Sequence, residues 1–395
     1  MNKTPQASRI NIGIFGKRNA GKSSLLNAIC GQQASLVSPV QGTTTDPVKK
    51  AMELIPAGPV LFIDTAGLDD SGELGKLRVE KTRQIMEQVE LALFVMDIND
   101  IDLDIYNNTI KEFKKLNTPY LTIINKIDTV GKTELERLKK EFPEAIFVSA
   151  DNPDQVGQLR EILSRKIKER EEKTSLIADL LPQNSKVILV IRLDKAAPKG
   201  RLILPQVQLI RDCLDHGIKC YVVRDSELET ALDDIKDIDL VITDSSIFKK
   251  VAEIVPESIP LTSFSILFAR FKGDLQLLLE GINKLDNLPA KARILIAESC
   301  THAVSCEDIG RVKIPVLLKK HLQKELFIDV AGGQDFPQNI RDYDLVIHCG
   351  ACMLNKKAMG NRLKACQEKG VAVTNYGMIL AHFSGILQRA TEIFS

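Results

Sequence analysis

The sequence predicts an α/β protein in three parts: a larger domain built on a parallel sheet, then two smaller α/β units related to each other. Three observations carry this expectation. Continuous apolar runs alternate with amphipathic stretches through the first part of the chain, a glycine-rich loop follows the first run directly, and two stretches of the remainder repeat one another.

The apolar runs are Ile10–Phe15, 60–63, 91–96, 120–124 and 145–148. Short runs of this kind, separated by helical segments, fit strands buried on both faces of a parallel sheet. Residues 155–173 read as a helix ending in charge, and Leu181 to Ser185, with Pro182, as a linker. The first domain is therefore placed at 1–174, the middle unit at 183–287 and the last at 290–395. In the remainder, 237–246 (DIDLVITDSS) resembles 341–350 (RDYDLVIHCG), and 262–273 (TSFSILFARFKG) resembles 374–385 (TNYGMILAHFSG). Each half opens on a strand-like run, 187–191 or 294–297, with a division near Leu288 and Pro289.

Composition excludes several classes. Apolar residues make up 44% and charged residues 27% of 395 residues, ordinary for a globular chain. Lys+Arg (53) and Asp+Glu (52) nearly cancel, so the global basic footprint of a nucleic-acid binder is missing and no nucleic-acid partner is expected. Residues 1–9 are polar, unlike a signal peptide, and no run reaches the length needed to span a bilayer. A cytoplasmic, non-membrane protein is expected, whose eight cysteines persist as thiols, metal ligands or redox groups.

Gly16-Lys17-Arg18-Asn19-Ala20-Gly21-Lys22-Ser23 matches G-x-x-x-x-G-K-S between a strand and the helix expected at 24–30. Glycines let backbone N–H groups face phosphates, and the helix N-terminus around Ser24 adds its positive dipole end. Lys22 is expected to reach the β- and γ-phosphates, and Ser23 to hold Mg²⁺. Asp64-Thr65-Ala66-Gly67 follows one strand, as a carboxylate meeting Mg²⁺ through water would; Asn125-Lys126-Ile127-Asp128 follows another, and Ser149-Ala150 a third. All lie at strand C-terminal ends, where open α/β sheets bind ligands.

Order and spacing resemble the translation-factor-related class of GTPases, with a P-loop GTPase fold for the N-terminal domain. That resemblance implies that Asp128 accepts from guanine N1 and N2, that Asn125 and Lys126 frame the base, and that the Ser149-Ala150 backbone approaches the guanine carbonyl. Leu68 stands where Ras-like GTPases carry a water-orienting Gln, and an apolar side chain cannot do that job. Gly42-Thr43-Thr44-Thr45-Asp46 and Asn19 resemble the potassium-activated, TrmE/Era-like branch, in which the Asn side chain helps hold K⁺ against the phosphates. Alternatively, Asn19 only shapes the loop. Thr44 is the first choice for the switch threonine on Mg²⁺ and Thr43 the second; Thr45 departs from the branch's usual Arg. The catalytic set is thus Asn19, Lys22, Thr44, Asp64 and Gly67.

Cys300-Thr301-His302 ends one expected strand, and His348-Cys349-Gly350-Ala351-Cys352 ends another. Two strand ends of a parallel unit can be neighbours, and the C-x-x-C spacing lets both thiolates face one metal. The ligand types suit tetrahedral Zn²⁺, an iron–sulfur cluster with one non-cysteine position, or a redox disulfide. These alternatives stay open on the residues alone.

A potassium-type GTPase domain joined to C-x-H…H-C-x-x-C resembles the iron–iron hydrogenase maturation GTPase family along essentially the whole chain. The resemblance implies a middle domain that forms a homodimer and a C-terminal domain that binds a 4Fe–4S cluster through Cys300, Cys349 and Cys352. His302, His348 or Glu298 could supply the fourth position, with Cys306 as competitor. It implies as partners the radical-SAM hydrogenase maturases HydE and HydG, which build a diiron subcluster precursor, and the apo iron–iron hydrogenase that receives it. GTP, Mg²⁺, K⁺ and the 4Fe–4S cluster are the cofactors implied. The alternative is an RNA-modification or ribosome-assembly GTPase with structural zinc; a redox enzyme is third.

The middle copy of the repeat carries Thr243-Asp244-Ser245-Ser246-Ile247 opposite the His348–Cys352 stretch, so it suits packing or dimerisation rather than ligation. Cys30, Cys213, Cys220 and Cys366 read as small core residues. His216, His321 and His382 read as ordinary helix residues.

Overall fold

Strand β1 (Ile10–Phe15) lies inside a seven-stranded sheet of the computed structural model, and its side chains explain the position. Ile12 and Ile14 face one core cluster while Phe15 joins the cluster on the other face. A strand apolar on both faces must be covered on both. With β2 (Ser35–Leu36), β3 (Val48–Leu54), β4 (Gly58–Asp64), β5 (Leu91–Asp97), β6 (Tyr120–Asn125) and β7 (Ile146–Val148), the order is β2-β3-β4-β1-β5-β6-β7. The run from β4 through β7 is parallel, whereas β2 and β3 are antiparallel additions to the expected sheet. Lys49, Lys50 and Glu53 break the apolar pattern of β3, which is buried only at Ala51, Met52 and Leu54. Asp102 caps the helix Leu103–Lys115, and Asn152, with Pro153 behind it, caps Pro153–Lys168.

The structure describes residues 9–31, 35–36, 47–68, 81–169, 175–193, 202–299, 308–333, 336–337 and 339–394. They belong to two compact units, Met1–Glu172 and Lys173–Ser395. Leu176 and Ile177 are buried in a core cluster of the second unit, and their N–H groups donate to Asp212. The second unit therefore takes in residues ahead of the expected linker.

The second unit holds two four-stranded parallel sheets. The first comprises β8 (Lys186–Ile191), β9 (Lys219–Arg224), β10 (Leu240–Thr243) and β11 (Leu261–Ser263), ordered β11-β10-β8-β9. The other comprises β12 (Ala292–Ala297), β13 (Leu326–Ala331), β14 (Leu345–His348) and β15 (Ala372–Asn375), ordered β15-β14-β12-β13. These are one topology used twice. Thr243 pairs with Ser263 in the first sheet as His348 pairs with Asn375 in the second, which is the correspondence of the repeated stretches. Ser263 and Asn375 then cap equivalent helices, Phe264–Lys272 and Tyr376–Phe383, each accepting from the N–H three residues on.

The sheets share a core. Ile188, Val190 and Val241 of one join Leu295, Val346 and Val373 of the other in a single cluster, while alternate residues face separate clusters outside. Gly281 is required here, because a Cβ would sit 1.9 Å from the Val373 carbonyl oxygen where the helix Leu275–Asn283 crosses β15.

Candidate functional site

In the first unit the C-terminal ends of β1, β4, β6 and β7 share one edge of the sheet, and the expected nucleotide residues collect there. Gly16 and Gly21 take φ values of 142° and 86°. A Cβ at Gly16 would lie 2.1 Å from the Val95 carbonyl oxygen, and one at Gly21 would lie 2.2 Å from Asn125 Nδ2. The loop is threaded so closely against its neighbours that only glycine fits. Ala20 is buried between them, whereas Asn19 is exposed with a left-handed φ of 62°, a conformation Asn tolerates better than most residues.

Lys22 opens the helix Lys22–Cys30 and is only 7% exposed. Its ammonium donates to the carbonyls of Gly16 (2.9 Å) and Lys17 (2.7 Å), so the cation sits inside the loop. Ser23 and Ser24 are exposed in the first turn. Ser23 Oγ donates to Asp64 Oδ2 at 2.5 Å, while Asp64 Oδ1 is buried with no hydrogen-bond partner. Burial raises the pKa of this carboxyl, against the Ser23 hydrogen bond and the charges of Lys22 and Lys50. A buried carboxylate oxygen without a donor is costly, and a divalent cation beside Ser23 would satisfy it. The residues present therefore fit Mg²⁺. Gly67 follows, half-exposed, and Leu68 packs against a core cluster.

At the other end of the edge, Asn125 acts as a brace. It is 1% exposed; its Nδ2 donates to the Ala20 carbonyl (3.1 Å), and its Oδ1 accepts from Ala150 N (3.2 Å). One carboxamide thus joins the phosphate loop to the segment after β7. Lys126 adopts φ 67° and donates to Asp97 Oδ2 at 2.6 Å. Burial opposes ionisation of Asp97, but hydrogen bonds from Lys126 and Asn99 together hold its carboxyl below the usual range. Asp128 is exposed in the short turn Ile127–Thr129, and Ser149 N donates to Gln155 Oε1 at 2.7 Å. Gly42, Thr43, Thr44, Thr45 and Asp46 lie outside the described residues.

In the second unit the cysteine motif occupies the end of β14. Cys349 N donates to Ala297 O (2.9 Å), and Cys349 Sγ accepts from Ser299 N (3.2 Å) and lies 3.1 Å from Ser299 Oγ. Burial pushes the Cys349 thiol up, and the Ser299 hydrogen bonds pull against it. Cys300 follows Ser299 directly in the chain, but Cys300, His302 and Cys306 lie outside the described residues. Cys349 and Cys352 are both thiols rather than half-cystines, and both are half-buried. Thiols at this strand end, with a backbone N–H already aimed at one sulfur, form a donor set that fits an iron–sulfur cluster.

The side chains around that loop were not legible in the sequence. Lys272, 3% exposed at the end of the helix Phe264–Lys272, crosses from the first sheet and donates to the carbonyls of Ala351 and Leu354, both at 2.9 Å. Desolvation pushes its pKa down to about 8, with Cys352 and Cys349 acting the other way. Its one sequence signal is a lysine closing a largely apolar helix. His348 is buried, its Nδ1 on the Cys349 carbonyl (3.0 Å) and its Nε2 on Arg362 Nη1 (3.0 Å). Desolvation first, and Arg362 second, push its pKa down to about 3, so the ring is neutral and carries its proton on Nδ1. Glu298, 2% exposed, accepts from Arg311 Nε (3.0 Å) and Nη2 (2.9 Å) and from the Tyr376 hydroxyl (3.3 Å). His348 must give up one of its bonds before it can meet iron, whereas Glu298 Oε1 accepts, among the described residues, from Tyr376 alone and keeps a lone pair.

Two histidines need correcting. His321 and His382 do not lie apart as ordinary helix residues: their ligand atoms and a carboxylate oxygen of Asp286 all lie within 4.8 Å of one another.

Family models divide the chain at nearly the same places as the fold. Residues 11–126 match a model described as "50S ribosome-binding GTPase", residues 176–273 the "Hydrogen maturase F dimerization domain" and residues 276–393 the "Hydrogen maturase F tetramerization domain". The last two together span more than half of the chain. The chain belongs to the hydrogen maturase F family.

Its N-terminal unit is a GTPase domain of the kind found in curated relatives that match this part alone. GTPase Der of Wolinella succinogenes is 35% identical over 39% of this chain and 35% of its own length. The tRNA modification GTPase MnmE of Mycoplasma mycoides is 35% identical over 37% and 32%. GTPase Era of Aquifex aeolicus is 34% identical over 34% and 47%. The chain thus spans a third to a half of these relatives. Among solved structures, the G domain of the T. maritima FeoB iron transporter is similar at 20% identity and TM-score 0.31, covering 42% of this chain and 99% of that one. The dimerization domain of the hydrogen maturase F family matches the expectation of a homodimer, whereas a tetramerization domain was not anticipated from the sequence. Among the described residues no helix is long and apolar enough to cross a membrane.

Proposed function

We propose that this GTPase maturase is a cytoplasmic carrier. In this reading its second unit holds a 4Fe–4S cluster, receives a diiron subcluster precursor from the radical-SAM maturases, and delivers it to apo iron–iron hydrogenase. GTP hydrolysis in the first unit gates the exchange. The observation that carries the reading is the approach of Ser299, and so of the chain position before Cys300, to Cys349 Sγ, in a chain that also bears a complete phosphate loop.

GTP lies with its phosphates over the N–H groups of residues 16–24. Lys22 leaves the Gly16 and Lys17 carbonyls for the β- and γ-phosphates, and Asp128 accepts from two guanine donors that adenine lacks. Ser23, Thr44 and Asp64 would hold Mg²⁺, which supplies neutralisation of charge on the β- and γ-oxygens. Leu68 packs in the core and orients no water, so Asn19 is assigned to K⁺ at the phosphates. Cys300, Cys349 and Cys352 would hold three irons of the cluster, which supplies an exchangeable docking position for cargo. Lys272 keeps the loop between Cys349 and Cys352 in place, and Gly67 is assigned to the γ-phosphate side of the site. The curated GTPases match the first unit alone, so a ribosomal or tRNA role is not carried over.

Anaerobic reconstitution of the full chain tests the reading. The loaded protein should activate apo-hydrogenase, and hydrolysis should run faster in K⁺ than in Na⁺. Lys22→Ala should abolish hydrolysis yet keep the iron. A wild-type chain that takes up zinc but no iron and sulfide would refute the carrier role.

A further inference from the structure

We propose that Asp286, His321 and His382 form a second metal site, for a borderline divalent cation such as Zn²⁺, separate from the cysteine loop. Three elements bring the donors together: the turn Leu285–Asn287, the last turn of the helix Ile314–Leu322, and the last turn of the helix Tyr376–Phe383. His321 Nε2 lies 2.6 Å from Asp286 Oδ1, and His382 Nε2 lies 3.8 Å from Asp286 Oδ2. The imidazole rings stand 5.5 Å apart at 75°, both against Phe383, so the rings are held in position by packing.

Two imidazoles and one carboxylate are the donor set of open zinc and related transition-metal sites, which keep remaining positions for water or an outside ligand. No thiolate takes part, so this donor set favours imidazole-seeking cations over those that prefer cysteine. The competing arrangement is a metal-free cluster in which His321 hydrogen-bonds Asp286 and His382 packs beside it. The two differ in what they bind. A hydrogen-bonded cluster of that kind takes up no cation, whereas the metal site takes one equivalent.

His321 is 40% exposed, Asp286 56% and His382 24%, so a cation can reach the cluster from solvent. Thiolates of the cysteine loop would compete for added zinc, and the experiment must separate the two. Zn²⁺ and Co²⁺ are titrated into chelator-treated full-length protein at neutral pH, for the wild type, His321→Gln, His382→Gln and Cys349→Ser. In the wild type, one equivalent of Co²⁺ should give visible d–d bands without thiolate charge transfer. Either histidine variant should weaken that equivalent by at least about tenfold, with thiolate-bound metal and GTP hydrolysis unchanged. In Cys349→Ser the same equivalent should persist. Equal stoichiometry and affinity in the wild type and both histidine variants would overturn the site, as would loss of all non-thiolate binding in Cys349→Ser.

Discussion

The two sheets of the second unit share strand order, register and helix caps, yet their strand ends differ. At the end of β14 stand His348, Cys349 and, three residues on, Cys352. At the end of β10 stand Thr243, Asp244, Ser245, Ser246 and Ile247. Ser245 and Ser265 share a hydrogen bond, Ser263 lies 3.1 Å from Ser265, and Ile247 is buried in the shared core. The middle end closes on itself with short hydroxyls and an aliphatic residue. The C-terminal end presents two half-buried thiols, with Lys272 on the carbonyls of Ala351 and Leu354 and Arg362 on His348. A common backbone therefore says nothing about ligation; the few residues after one strand decide it.

The largest expected effect separates the two ends chemically. Cys349→Ser or Cys352→Ser should remove reconstituted iron, whereas Ser246→Ala, at the matching end, should leave iron and sulfide content unchanged. Iron loss from Ser246→Ala, or full retention in either cysteine variant, would break the comparison.

An intermediate effect tests Lys272 against its repeat mate, Ser384. Lys272→Met leaves the Ala351 and Leu354 carbonyls buried without their donor, at a cost of about 2–4 kcal/mol in urea unfolding. Ser384→Ala should change stability by less than about 0.5 kcal/mol. Similar values for the two would show that the crossing lysine is incidental.

The smallest effect concerns what the sheets share. Ser263→Ala and Asn375→Ala each remove a helix N-cap, and each should cost about 1 kcal/mol. Near-equal melting shifts sharpen the idea of one scaffold used twice; a cost at one position alone would weaken it.

Much of this organisation was legible because it is local. The phosphate loop, Asp64, and Asn125 through Asp128 follow their strands within a few residues, and a parallel sheet aligns those ends without further information. The repeat was readable because DLVI recurs before both strand ends. What escaped depends on crossings between distant segments. Lys272 meets residues 79 and 82 positions away. Asn125 reaches Ala20 across 105 positions. No periodicity encodes where such side chains arrive. His321 and His382 looked ordinary because neither has a donor beside it in the chain; Asp286 comes to them only when the turn Leu285–Asn287 folds against two helix ends. Strand β3 was missed because Lys49, Lys50 and Glu53 interrupt any apolar run and its burial follows no strict alternation.

The ammonium of Lys272 also ties the two copies of the repeat to each other. A gene fragment encoding only the later copy would begin after this residue and would inherit the cysteines without the cation beneath their loop. Recombination between the copies, around residues 273–276, would therefore yield a piece with intact ligands and a disarmed support. With the lysine in one copy and the cysteines in the other, neither copy can be exchanged independently. The ligand-free copy persists as the other's foundation.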